Sequence, residues 1–235
     1  MFIIKFKNFL KKFLPKVVYR LLHIFFLIIA KYYRFIVITG FLKSAWSGKA
    51  INKNGESLPW YTYSAIGFLS TRDFKGRKVL EFGAGQSTLW WSKRAEMVLS
   101  IEGDKVWFDY LNKYLNKNVS IHHLNVERNI FIEKISEIIN SEKINKFDVI
   151  VIDGLYREEL IDWSQNYLTD TGLIICDNSE GYEIYSRTKE KLLRRVDFFG
   201  SAPGVLLEQN TSIFFGNDCF LFDPKNKIQS RWNQI

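Results

Sequence analysis

Beyond Arg72 the chain alternates short apolar runs with longer amphipathic stretches, a rhythm that predicts strands alternating with helices. Lys78 to Phe82, Met97 to Glu102, Val119 to Leu124, Phe147 to Asp153 and Leu173 to Cys176 are nearly continuous in Val, Ile, Leu and Phe, as strands covered on both faces must be. Helices are expected between them, near residues 86–95, 104–116, 128–141, 156–168 and 182–193. Two last apolar runs, Val196 to Phe199 and Thr211 to Phe215, are separated only by a loop with Pro203 and Gly204, and predict an antiparallel pair at a sheet edge. The expected fold class is α/β, doubly wound, with a seven-stranded and mostly parallel sheet over residues 56–235. In such sheets ligands bind beyond the carboxyl ends of the strands, so the chemistry is sought there.

Upstream the pattern differs. Val17 to Leu42 is rich in Leu, Ile, Phe and Val, but Arg20, Lys31 and Arg34 interrupt it, and its longest uncharged stretch, Leu21 to Ala30, is shorter than the roughly 20 residues a bilayer requires. At about 100° per residue, Lys12, Lys16, Arg20, His23, Lys31 and Arg34 fall in one sector of a helix. This predicts an arm over residues 1–55 whose amphipathic helix, within residues 12–42, lies on an anionic membrane surface. Packing of the same helix on its own domain or on a second subunit fits the pattern too, and a single-pass anchor ranks third. Lys43 to Leu58 is polar and reads as a linker. Pro59-Trp60-Tyr61-Thr62-Tyr63 opens an apolar stretch to Leu69, expected to be helical with Pro59 near its start.

Charge sharpens this division. The net charge of +8 on 235 residues resides in the arm: residues 1–55 carry eleven Lys or Arg and no acid, and the remaining 22 cations face all 25 acids. A slightly acidic body does not suit phosphate tracking, so no nucleic-acid partner is expected. Two cysteines, Cys176 and Cys219, with no CxxC or Cys/His cluster, indicate neither a disulfide framework nor structural zinc, and a reducing cytosol is the simplest compartment.

Four strand ends carry acids, amides or glycines. The first reads Glu81-Phe82-Gly83-Ala84-Gly85-Gln86-Ser87-Thr88, where the glycines permit a sharp turn and close approach by a ligand, and Ser87 and Thr88 open a helix. Glu102 stands 21 residues after Glu81, at the end of the second strand, where an acid can accept hydrogen bonds from ribose hydroxyls. A dinucleotide fingerprint would need a third glycine where Thr88 stands, and a carboxylate at Glu81 would repel a diphosphate. Together these residues resemble the first two motifs of class I S-adenosylmethionine-dependent methyltransferases, a Rossmann-like family whose strand order residues 73–216 match. The resemblance implies that Glu81, Gly83, Gly85, Ser87, Thr88, Glu102, Asn125 and Asp153 hold the cofactor, with Asn125 near the adenine. His122 and His123 read as structural or surface residues.

The fourth strand ends in Asp153 and the fifth in Asp177-Asn178. This resembles cation-dependent O-methyltransferases, which implies that Asp153, Asp177 and Asn178 bind Mg²⁺ or another divalent cation and that Asp153 acts at the reacting centre. Where catechol-type members carry a lysine, this chain has Tyr156, followed by Arg157, so a general base of the same kind is missing and Tyr156 is the catalytic candidate at that position beside Asp153. The other reading is that Asp153 contacts the cofactor or its loop while Asp177 and Asn178 cap a helix. The turn after Asp177, with the Phe198 to Gly204 and Thr211 to Phe215 segments, also resembles a bacterial branch that accompanies glycan synthesis. The expected function is therefore S-adenosylmethionine-dependent methyl transfer to a hydroxyl of a small molecule, sugar or lipid-linked glycan, at the inner face of the membrane. Pro59-Trp60-Tyr61 and the 200–210 loop are the expected acceptor walls. A nucleotide-cofactor oxidoreductase or epimerase, and a non-catalytic membrane-associated protein retaining the fold, are the alternatives.

Overall fold

The computed structural model describes residues 14–181, 194–224 and 226. The helix expected near residues 182–193 and the first cation of the stripe, Lys12, lie outside the described residues.

Five parallel strands, β1 (Lys78–Phe82), β2 (Met97–Glu102), β3 (Val119–His123), β4 (Phe147–Ile152) and β5 (Leu168–Asp177), are followed by β6 (Arg194–Gly200) and β7 (Gln209–Phe215). They form one sheet in the order β3-β2-β1-β4-β5-β7-β6, with β7 antiparallel to both its neighbours. This is the expected doubly wound, Rossmann-like architecture with its C-terminal antiparallel pair. Strand order reverses between β1 and β4, which are hydrogen-bonded neighbours, so a crevice opens over their carboxyl ends.

Alternation along each strand builds two cores. Leu80, Phe82, Ile150, Ile152, Ile174 and Cys176 face α6 (Arg128–Ser141) and α7 (Arg157–Ser164). Val79, Val149, Val151, Leu173 and Ile175 face α3 (Tyr63–Leu69) and α4 (Gln86–Ser92), where Trp90 and Trp91 are buried. Because side chains alternate, Glu81 falls in the second set, on the face beneath α4. On the far side of β2 lies α5 (Lys105–Leu111), whose N-cap Asp104 accepts from the Trp107 N–H at 2.8 Å.

Several boundaries differ from expectation. The fifth strand begins at Leu168, where a helix was expected to run on: its Thr169-Asp170-Thr171 segment is polar because it projects past the sheet and is largely exposed. Helices α4, α5 and α7 each stop three to five residues early. The third helix starts at Tyr63, not near Pro59, since Thr62 caps it through its hydroxyl and the Ala65 N–H.

The arm is α1 (Lys16–Tyr33), continued by a π-helical turn over Arg34–Ile38, and α2 (Phe41–Ser47). The linker expectation for Lys43 to Leu58 gives way here: Gly40 and Gly48, with φ of +81° and +63°, bracket a short helix. An antiparallel Ile51–Ser57 bridge then closes the loop that follows. Ser44 of α2 both donates to and accepts from the Ile51 backbone. Phe35 packs on Phe41 and edge-on to Tyr63, tying the end of α1 to the body. Residues Lys16 to Ile38 form a helix of 23 residues, about 35 Å long, with none of its apolar window buried, long and apolar enough by length and composition to cross a membrane. The cationic stripe is interrupted at its centre, where Leu21 to Ala30 exposes apolar side chains on every face around His23.

Candidate active site

A cavity of about 670 Å³ occupies the crevice at the carboxyl ends of β1, β2 and β4. Gly83, Gly85, Ser87, Glu102, Asn125 and Asp153 line it, so six of the residues expected to hold a cofactor converge on one space. Its apolar walls are Ile101, Leu124, Phe131 and Leu155, and Trp60 closes one side. This size and mixture of apolar wall with a few convergent polar groups suit a nucleoside-sized ligand.

Glu81 and Thr88 lie directly beneath. The Gly85 N–H donates to Thr88 Oγ1 (2.9 Å), Thr88 Oγ1 donates to Glu81 Oε2 (2.5 Å), and Ser100 Oγ donates to the same oxygen (2.6 Å). The turn is thus wired to a fully buried carboxylate whose other oxygen, Oε1, has no hydrogen-bond partner among the described residues. Burial pushes the Glu81 carboxyl up to about 7, although the Ser100, Ser87 and Thr88 hydroxyls hold it down and Asp153 repels it further.

The two glycines of the turn serve different ends. Gly83 has φ +89°, and a Cβ there would fall 2.6 Å from the Asp153 carbonyl oxygen and 2.9 Å from the Gly154 nitrogen. At Gly85 a Cβ would meet nothing closer than 3.7 Å, and the backbone is extended. Gly83 is required by the close approach of the β4 end, whereas a Cβ at Gly85 would sit in ordinary contact with Ser87 Oγ and Trp107 Nε1, both 3.7 Å away.

Glu102 Oε1 accepts from the Asp104 N–H at 2.6 Å, and burial raises its carboxyl. Asn125 is exposed at the cavity edge. His122 pairs with Glu142 at 2.6 Å and His123 accompanies the Gly103 carbonyl, and neither lines the cavity.

The residues expected to bind a metal do not fit one. Arg157 stands among them: its Nη2 lies 3.0 Å from Asp153 Oδ1, and its Nη1 donates to the Asp177 carbonyl and to Asn178 Oδ1 (3.3 Å). Both Asp177 carboxylate oxygens are engaged on the other side, by Thr211 Oγ1 (2.7 Å) and Gln209 Nε2 (2.9 Å). A guanidinium already supplies the positive charge, and the carboxylate oxygens a cation would need are committed. Among the described residues no group of three or more His, Cys, Asp or Glu side chains could hold an ion. Asp177 anchors β7 to β5, and the helix that it and Asn178 are expected to cap lies outside the described residues.

Tyr156 is not brought to the cavity either. It adopts a left-handed conformation (φ +53°), which turns its ring edge-on to Phe131 and its hydroxyl to the Val126 carbonyl at 3.3 Å. That twist sends the next residue, Arg157, into the site. The guanidinium is the main feature missed from sequence, where only its position beside the strand-four acid could have signalled it. Trp107 is another: its Nε1 donates to the Ala84 carbonyl at 2.7 Å and buttresses the glycine turn from α5.

Burial raises Asp153 to about 6 despite Arg157, and raises Asp177 well above its ordinary range, with Asp153 adding repulsion. We expect Arg157→Ala to destabilise the fold by about 3 kcal/mol, because it strips a buried carboxylate of its partner. In urea melts the loss should be larger at pH 8 than at pH 5, where Asp153 is protonated; an equal loss at both would contradict the pairing.

No protein-family model matches the sequence, and no curated protein matches it. Comparison with solved structures finds spermidine synthase from Thermotoga maritima (19% identity, 60% of this chain and 53% of that one, TM-score 0.45). It also finds the T. thermophilus 16S rRNA N2 G1207 methyltransferase in complex with AdoMet and guanosine (18% identity, 60% and 38%, TM-score 0.43). A third is precorrin 8w decarboxylase from Methanobacterium thermoautotrophicum (15% identity, 72% and 95%, TM-score 0.44). The chain spans about half the length of the spermidine synthase structures it matches.

Proposed function

We propose that the protein is an S-adenosylmethionine-dependent methyltransferase acting on a hydroxyl oxygen, with a small molecule, sugar or lipid-linked glycan as acceptor. The observation that carries this reading is electrostatic. Three carboxylates, Glu102, Asp104 and Asp153, line one cavity, the buried Glu81 is wired through Thr88 to its glycine turn, and Arg157 is the cation among the described residues that line it. Such a site favours a ligand carrying positive charge over a diphosphate.

Bound S-adenosylmethionine would supply an activated methyl group on a sulfonium. Glu102, its Oε1 already fixed by Asp104, offers its remaining acceptor capacity to ribose hydroxyls. Leu124, Phe131 and Leu155 form an apolar slot for adenine, with Asn125 at its edge. The Gly83 to Ser87 turn cradles the amino-acid end, above the Glu81 carboxylate. Asp153, held near neutrality at the cavity wall, can take a proton from the acceptor hydroxyl, since a group poised near pH 6 combines ionisation with useful basicity. Trp60 and the loop after β6 form the acceptor wall: Trp60 Nε1 donates to the Pro203 carbonyl, and Gln209 Nε2 donates to the Trp60 carbonyl. The basic arm seats the enzyme on the anionic inner face of the membrane.

Calorimetric titration with S-adenosylmethionine tests the reading. Glu102→Ala should weaken binding about 10- to 100-fold, the range for losing hydrogen bonds to a charged group. Unchanged affinity would remove Glu102 from the site, and no heat at millimolar cofactor would overturn the assignment.

A further inference from the structure

Among the described residues, three of the four most exposed large apolar side chains outside α1 lie beside the proposed acceptor wall, the fourth being Val106 on α5. Trp46 on α2 is 94% exposed, and Leu206 and Leu207 in the loop between β6 and β7 are 91% and 74% exposed. These two segments are in contact. Gly204 (φ +70°) lies so close to α2 that a Cβ on it would fall 2.6 Å from the Ala45 nitrogen, one residue from Trp46 and two from Leu206. Leu42, one turn before Trp46, is exposed as well. The same loop carries Pro203, whose carbonyl holds the cavity-lining Trp60. The apolar surface is therefore continuous in structure with the cavity wall.

The α2 half of the patch is cationic: Lys43 and Lys49 flank Trp46 at three residues on either side and no acid occurs before Glu56, while the loop half carries one exposed acid, Glu208, after Leu207. An exposed Trp with Leu neighbours and flanking lysines matches the chemistry of the interface of an anionic bilayer, where indole sits at headgroup depth and ammonium groups meet lipid phosphates.

We propose that Leu42, Trp46, Leu206 and Leu207 form a second membrane-docking surface, distinct from α1, which turns the Trp60 side of the cavity toward an anionic bilayer, so that the methyl acceptor is one carried by a lipid. The acceptor half of this proposal rests on the methyltransferase reading; the docking half does not.

The test uses the full-length protein with phosphatidylglycerol vesicles containing lipids brominated on the acyl chain, which quench tryptophan on contact. Residues 1–45 contain no tryptophan, so α1 contributes no signal. Wild type should be quenched, and Trp46→Phe should lose most of that quenching while still floating with the vesicles through α1. Flotation without quenching, or quenching unchanged by Trp46→Phe, would overturn the docking surface. So would a concentration-dependent dimer lost in Leu206→Ser/Leu207→Ser without any quenching, because a second copy would then cover the patch. With methyl-labelled S-adenosylmethionine and a membrane extract, label should enter the chloroform-soluble fraction and fall severalfold in Leu206→Ser/Leu207→Ser at unchanged cofactor affinity. Label only in water-soluble products would overturn the lipid-borne acceptor. Absence of cofactor binding would defeat the methyltransferase reading and leave the docking surface to be judged by quenching alone.

Discussion

Gly83→Ala should cost about 3 kcal/mol or more of stability, enough to lower the melting temperature by many degrees, while Gly85→Ala should leave melting nearly unchanged. At Gly83 two penalties act together. The positive φ of +89° is strained for any side chain, and the added carbon meets backbone atoms of Asp153 and Gly154 that cannot swing aside. Gly154 is constrained reciprocally, since its own Cβ would fall 2.9 Å from the Gly83 nitrogen. At Gly85 the added carbon has room and an ordinary backbone, so a bulkier Gly85→Val should fold yet occlude the cavity and lower cofactor affinity at least tenfold. Thermal melts paired with calorimetry separate the two. Equal destabilisation at both positions would show that the turn is a packing device and not a ligand cradle.

The contrast between these glycines also marks how far the chain could be read without coordinates. The β1 and β2 limits are legible because apolar runs buried on both faces end abruptly at Glu81-Phe82 and Glu102, and the position of the glycine turn follows from them. Which glycine serves the fold is invisible, because the distance from Gly83 to Asp153 is a tertiary fact. Arg157 is harder still. A single left-handed residue, Tyr156, exchanges the two side chains' destinations, and no local propensity announces it for a tyrosine. Asp177 and Asn178 were placed correctly at a strand end, but their partners, Thr211 and Gln209, come from β7, a strand inserted beside β5 by long-range pairing. Likewise the proposed acceptor wall depends on Trp60 and Pro203, 143 residues apart.

Raised carboxyl pKa values in the site should make stability fall with pH and cofactor preference rise with it. Glu81 near 7 and Asp153 near 6 hold protons in the folded protein that the unfolded chain, with ordinary carboxyls near 4, has already released. The folded state therefore binds more protons between about pH 4 and 7, and unfolding free energy declines as pH rises across that window. The penalty is absent below it and complete above it. A fixed positive charge in the cavity lowers both pKa values, so binding of S-adenosylmethionine should release protons near pH 6 to 7 and should flatten the decline in stability. S-adenosylhomocysteine, with a neutral sulfur, should do so less. The ratio of the two affinities should grow by about tenfold from pH 5.5 to 8, the equivalent of one charge interaction of roughly 1.4 kcal/mol. Glu81→Gln should blunt that growth and make the unliganded protein's stability less dependent on pH, because the group that titrates is gone while Ser100 and Thr88 remain to hydrogen-bond the amide. A flat affinity ratio across this range in calorimetry would mean that the buried carboxylates do not sense the sulfonium, and the electrostatic basis for assigning this cofactor would fall.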